Sequence, residues 1–145
     1  MTQLRSLLEK KGFYRIPLKK LNSGHYKFTA SINGKKGSFI LDTGASTSCI
    51  GFESVSYFAM KSEESSIKAA GAGAINMLTE VTWNNTFTIG SWTLNKMSFI
   101  IFDLSHVNEA LSQVEEEVVH GIIGADFLKE VRAVIDYGRN ALYVK

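Results

Sequence analysis

The sequence holds one cysteine, Cys49, and only three histidines, at positions 25, 106 and 120. A single thiol excludes an internal disulfide framework, and histidines this scattered offer no metal-ligand spacing. No metal, redox group or other cofactor is therefore expected. No apolar run is long enough to cross a bilayer. The first residues alternate apolar and charged side chains, unlike the unbroken apolar stretch of a signal peptide. The expectation is a soluble, cytoplasmic protein with no membrane partner. Low-complexity tracts and linker-like segments are also lacking, so residues 1–145 read as one domain with a helical lead over 1–12. A compact fold of this length buries about 68–70% of its unfolded surface, enough for a substantial core.

Charge is present but unevenly placed. Residues 1–41 carry nine Lys or Arg against the single acid Glu9, a balance of +8, while the rest carries seven bases against thirteen acids, a balance of −6. The bases are spread over several elements, with neither a recognition helix nor a ribonucleoprotein-type aromatic motif among them. They read as a solvated face, and nucleic acid is not expected as a partner. Glu115, Glu116 and Glu117 are the densest acidic point.

The pattern of apolar residues predicts a mostly β chain. Leu4, Leu7 and Leu8 share one side of a short helix over 2–11 that Gly12 ends. Tyr26, Phe28, Ala30 and Ile32 alternate with polar residues, as a strand with one buried face requires, and Asn33-Gly34 supplies a hairpin turn. The return strand carries Phe39-Ile40-Leu41 without alternation, the mark of a strand buried on both faces. Phe52, Val55, Phe58 and Ala59 have helical spacing. The small residues 69–74 lead into a long alternating strand through Ile75, Met77, Thr79, Val81 and Trp83. Strands are predicted over 86–89 and 93–102, turning at Gly90-Ser91. Ser105 is placed as the cap of a helix with the stripe Val107, Ala110, Leu111, Val114. Residues 118–123 return to β character, 125–131 suit one or two helical turns, and Val134-Ile135 and 142–144 flank a final turn.

Asp42 leaves the buried strand directly. A carboxyl group so anchored can activate water if nearby donors hold it. Thr43 and Ser46 bring hydroxyls, and Gly44 lets the chain fold back so that N–H groups face the carboxylate. The stretch Phe39-Ile40-Leu41-Asp42-Thr43-Gly44-Ala45-Ser46 resembles the active-site strand and loop of the pepsin and retropepsin superfamily. About eighty residues later, Gly121-Ile122-Ile123-Gly124-Ala125-Asp126-Phe127-Leu128 is similar to the family's second signature. The resemblance spans roughly residues 26–144, with 126–128 and 134–137 nearer in pattern to cellular and bacterial single-domain members than to viral ones.

That resemblance implies a closed, barrel-like β lobe in which Ile122, Ile123 and Gly124 thread a psi-shaped loop. Only glycine permits so close a backbone approach at position 124. It implies a flap hairpin around Gly71, Ala72, Gly73 and Ala74 that closes over bound peptide. Its mechanism uses two carboxyls sharing one proton, since two such groups in contact cannot both ionise. The aspartates stand at 42, 103, 126 and 136, and only Asp42 precedes Thr-Gly. Asp103, Asp126 and Asp136 read as structural, Asp126 through the dipole of its helix. The second carboxyl is thus implied to come from Asp42 of a second copy across a two-fold axis, giving a homodimeric endopeptidase with Thr43 bonding across the axis and Ser46 beside the catalytic pair. The alternatives are a catalytically inactive binding module of the same fold and a monomeric, zymogen-like form. Cys49 reads as core, His120 as a half-exposed structural histidine, and the Asn84-Asn85-Thr86 acceptor pattern as unused.

Overall fold

The computed structural model describes residues 3–64, 69–71, 74–77 and 79–145, with 69–71 and 74–77 described through their backbone. Helix α1 (Leu4–Lys10) stops where Gly12 takes a φ of +91°. Its leucine stripe divides: Leu8 is buried, whereas Leu4 and Leu7 stay 44% exposed. Strands β1 (Tyr14–Pro17), β2 (Lys19–Lys20), β3 (Tyr26–Ile32) and β4 (Lys35–Leu41) follow. Phe28, Ala30 and Ile32 bury one face of β3, as the alternation requires. Asn33 and Gly34 both have positive φ, at +53° and +85°, the signature of the two-residue turn whose twist matches its strands.

Next come β5 (Cys49–Gly51), a 3-10 turn over Phe52–Ser54, β6 (Ser62–Glu64), β7 (Ala69–Gly71), β8 (Ala74–Met77), β9 (Glu80–Ile89) and β10 (Trp92–Phe102). Helix α2 (Ser105–Gln113), β11 (Gly121–Ile123), α3 (Ala125–Glu130), β12 (Val134–Asp136), a 3-10 turn over Tyr137–Arg139 and β13 (Ala141–Val144) complete the order. Two differences from the apolar pattern have physical causes. The helical spacing near Phe58 yields turns, because Phe58 is drawn into the core against Phe39, their rings 24° from parallel with centroids 6.1 Å apart. The single long strand through Ile75 and Trp83 is two, because β8 pairs with β7 while β9 pairs with β10, β6 and β3. Alternation looks the same whichever neighbour a strand chooses.

Six strands close into a barrel in the order β3, β4, β11, β5, β10, β9, with β9 returning to β3 through Ser31↔Thr88 and Ile32↔Phe87. Asn33 fastens the closure: its Oδ1 accepts the Thr86 N–H at 3.0 Å, and its Nδ2 donates to the Phe58 carbonyl at 2.9 Å. Outside the barrel, β1, β13 and β12 form an antiparallel three-stranded sheet, and Leu8 of α1 packs on it against Ala141 and Tyr143.

The core has two main parts. Phe28, Ile32, Phe39, Ile50, Phe87, Phe99, Ile101 and Ile123 belong to one cluster, and Ile40, Cys49, Ile100 and Ile122 to another, under Leu104 and Leu111 of the α2 segment. Successive residues of β4 therefore feed opposite sides of one sheet, which is why 39–41 lacks alternation. Full burial of a side chain such as Phe39 contributes about 1.5–3 kcal/mol. It anchors the strand from which Asp42 emerges.

Candidate active site

Asp42 follows the last residue of β4 and keeps to the ladder, its N–H donating to the Ile123 carbonyl at 3.0 Å. The chain then turns at once. Gly44 donates its N–H to Asp42 Oδ1 at 2.9 Å, and Ala45 donates to the Asp42 carbonyl at 3.1 Å. The carboxylate is thus oriented by its own loop. It is half-buried, while Thr43, Gly44 and Ser46 are exposed.

β11 threads between the two arms of this loop. It runs parallel to β4, with Gly121↔Phe39 and Ile123↔Leu41, and antiparallel to β5, with Gly121↔Ile50 and Ile122↔Cys49. Two glycines permit the crossing. A Cβ on Gly124 would lie 2.4 Å from the Ala45 carbonyl oxygen, and one on Gly121 would lie 2.4 Å from that of Cys49. Neither has a φ in the left-handed region, so what glycine supplies here is room rather than an unusual conformation. The Ala45 carbonyl also accepts the Ala125 N–H at 2.7 Å, which fixes the loop to the start of α3.

A polar relay that the sequence does not advertise holds the far side of the loop. Ser48 is fully buried, and its Oγ accepts the Gly124 N–H at 2.9 Å. The same hydroxyl donates to Asp126 Oδ1 at 2.7 Å, and the Ser48 N–H donates to that oxygen at 2.9 Å. Asp126 therefore serves as the acceptor that locks Ser48, a role beyond the dipole contact its position in α3 suggests. A lone serine ahead of an apolar pair carries no periodic signal, so only tertiary structure reveals it. Asp103 plays a different part: its Oδ1 takes the Ser105 N–H at 2.8 Å, which lowers its pKa, so Asp103 rather than Ser105 caps the entrance to α2.

Cys49 adjoins this relay inside the second cluster. Burial pushes its thiol up to about 12, and the carboxylates of Asp126 and Asp42 add to the effect. The group is a packing element and a poor nucleophile. Among the segments assigned to the flap, β7 and β8 pair antiparallel with Gly71 opposite Ala74, while Ala72 and Gly73 lie outside the described residues. A cavity of about 630 Å³ lined by Gly51, Tyr57, Asp103, Asn108 and His120 opens at the opposite end of β5 and β11 from Asp42.

A family model described as aspartyl protease matches residues 28–127. In fold, the chain is similar to a retropepsin-like aspartic protease from Rickettsia conorii, at 16% identity, a TM-score of 0.62 and 91% coverage of both chains. The retroviral protease-like domain of Ddi1 from Leishmania major gives 13% identity and a TM-score of 0.53, over 90% of this chain and 88% of that one. The EIAV protease, solved with the inhibitor HBY-793, gives 19% identity and 0.51, over 76% of this chain and 90% of that one. No match was found among curated protein sequences. The threaded loop, the six-stranded barrel and the family match agree: the chain is a member of the aspartyl protease family with the retropepsin-like fold.

Proposed function

We propose that the protein is an endopeptidase whose catalytic centre is made by Asp42 from each of two copies. The observation that carries this reading is the Asp42 carboxylate, held by the Gly44 N–H at 2.9 Å in a loop whose outer residues, Thr43 and Gly44, stand exposed. A loop braced from behind and bare in front is suited to meet its own copy across a two-fold axis. The paired carboxyls share one proton. The ionised one removes a proton from water, whose oxygen bonds to the scissile carbonyl carbon, while the protonated one donates to the carbonyl oxygen. Collapse of the resulting diol returns a proton to the leaving nitrogen and breaks the C–N bond. Thr43 would bond across the axis, Ser46 would sit beside the pair, and the segment around 71–74 would close over an extended peptide bound as an added strand. A single buried, unpaired cysteine suits a reducing, cytoplasmic setting.

The test is Asp42→Asn, which keeps the shape and the acceptor for Gly44 but cannot take the proton. Cleavage of an unstructured protein substrate should fall by a factor of at least about a thousand. A folded Asp42→Asn protein that cleaves at the wild-type rate would rule the reading out. A folded wild-type protein that cleaves nothing would favour a binding module of the same fold.

A further inference from the structure

The face of the sheet that Asp42 shares is already covered. Ile40 pairs with Ile122, Ile122 with Cys49, Cys49 with Ile100, and Ile100 with Val81, so five strands place these side chains in one row. Register partners share a face, and residues two apart along a strand do too, so Asp42 stands on this face one step beyond Ile40. A peptide side chain that reaches past Asp42 on this face is therefore directed toward this row and whatever covers it. In the chain by itself Ile40, Cys49, Ile100 and Ile122 are only 1%, 6%, 7% and 8% exposed. The cover is Leu104 and Leu111 of the α2 segment with Leu21 and Val119, and Val107 and Ala45 pack at the margin of the cluster.

This cover is tied down at two points, one within the helix and one past it. Asn108 in α2 exchanges two hydrogen bonds with the backbone of Val119, at 3.2 and 2.8 Å. Past the helix, the Glu116 carboxylate accepts the Asn22 N–H, and Asn22 Nδ2 donates to the Val114 carbonyl at 3.1 Å. The turn before β3 and the exit of α2 thus hold each other.

We propose that α2 is a fixed wall of the substrate cleft, with Val107 and Leu111 as the residues that limit the side chain beside the scissile bond to a small one. Rows two residues apart are separated by about 7 Å along a strand, so a side chain anchored near Asp42 meets the covered row within the length of one aromatic residue. Alanine or serine fits short of the wall; leucine and phenylalanine run into it. The inference rests on the peptidase reading above, and it makes Val107 and Leu111 determinants of specificity that act by shape.

The experiment pairs cleavage with binding. Peptides carrying Ala, Leu or Phe at the residue flanking the cleaved bond are offered to the wild type, Leu111→Ala and the milder Val107→Ala. Non-cleavable hydroxyethylene isosteres with Ala or Phe at that residue are titrated by calorimetry. The wild type should favour Ala over Phe by about tenfold or more in kcat/KM and in affinity, and at least one variant should shrink that ratio by a similar factor. Equal treatment of Ala and Phe by the wild type would overturn the wall. So would an unchanged ratio in both folded variants, or binding of neither isostere. Discrimination between isosteres with no cleavage of any peptide would sink the peptidase reading and leave the wall standing.

Discussion

Ser48 shows how one buried hydroxyl can position the loop that carries Asp42. Its Oγ accepts a hydrogen bond from the Gly124 N–H and donates one to Asp126 Oδ1, so removing it leaves a buried amide without an acceptor and a carboxylate with one donor fewer. An orphaned buried donor costs about 1–3 kcal/mol. Ser48→Ala should therefore lower stability by about that amount in urea unfolding. Asp126→Asn should be milder than Asp126→Ala, because the Asn carbonyl still accepts both bonds that Ser48 donates to Oδ1. Equal losses for Asn and Ala would mean that charge rather than hydrogen bonding sets the role of Asp126. At this scale the sequence is partly legible. Asp42, Gly44 and Gly124 stand out through the motifs they belong to, and at Gly124 the reason is steric, since a Cβ there would lie 2.4 Å from the Ala45 carbonyl oxygen. Ser48 and Gly121 do not, since the contacts that explain them come from residues about 70 to 80 positions away.

Elements differ in how much they reveal. The run 39–41 gives away its doubly buried strand because Phe39 and Ile40 must each enter a separate cluster. The turn at Asn33-Gly34 is equally plain, since its positive φ values need those residue types. Helix α2 is visible as a helix, but its stripe is shifted. Leu111 is buried and Val107 half-buried, while Ala110 faces solvent and Leu104 before the helix does the packing. Helical periodicity alone does not say where the axis will tilt when a sheet lies beneath.

β11 carries a group with a consequence for pH at its foot, in His120. Its ring stacks 15° from the plane of Tyr57 at 5.4 Å and meets the edge of Phe58, and its Nδ1 accepts the Ser38 N–H at 3.1 Å. Burial lowers its pKa. Unfolded chains therefore take up a proton below about pH 6.5 that the folded chain refuses until the pH is lower still. Stability should fall as pH drops through that window, level off below the folded-state pKa, and be indifferent to this group above about 6.5. His120→Asn, which can still accept from Ser38, should flatten that part of the Tm profile below about pH 6.5. An unchanged slope in the variant would show that other groups carry it.

For the whole molecule, the arrangement of β13 decides what dissociation should do. β13 pairs with β1 through Tyr14↔Val144 to Pro17↔Ala141 and with β12 through Val134↔Tyr143 to Asp136↔Ala141. Both of its edges are satisfied within its own chain, and Ala141 to Val144 are all buried there. An interface built by exchanging β13 would have to break these ladders, so under the two-copy reading proposed above the copies would meet through the exposed Thr43-Gly44 loop and other surface, with each barrel already closed on itself. Where the fold of a subunit depends on its partner, dilution unfolds it; where the core is complete, dilution only separates the copies. Activity per chain should therefore decline on dilution while far-UV circular dichroism and tryptophan fluorescence hold steady over the same range. Loss of the folded signal in step with activity would mean that the barrel needs its partner, and that the sheet of β1, β13 and β12 does not complete the core.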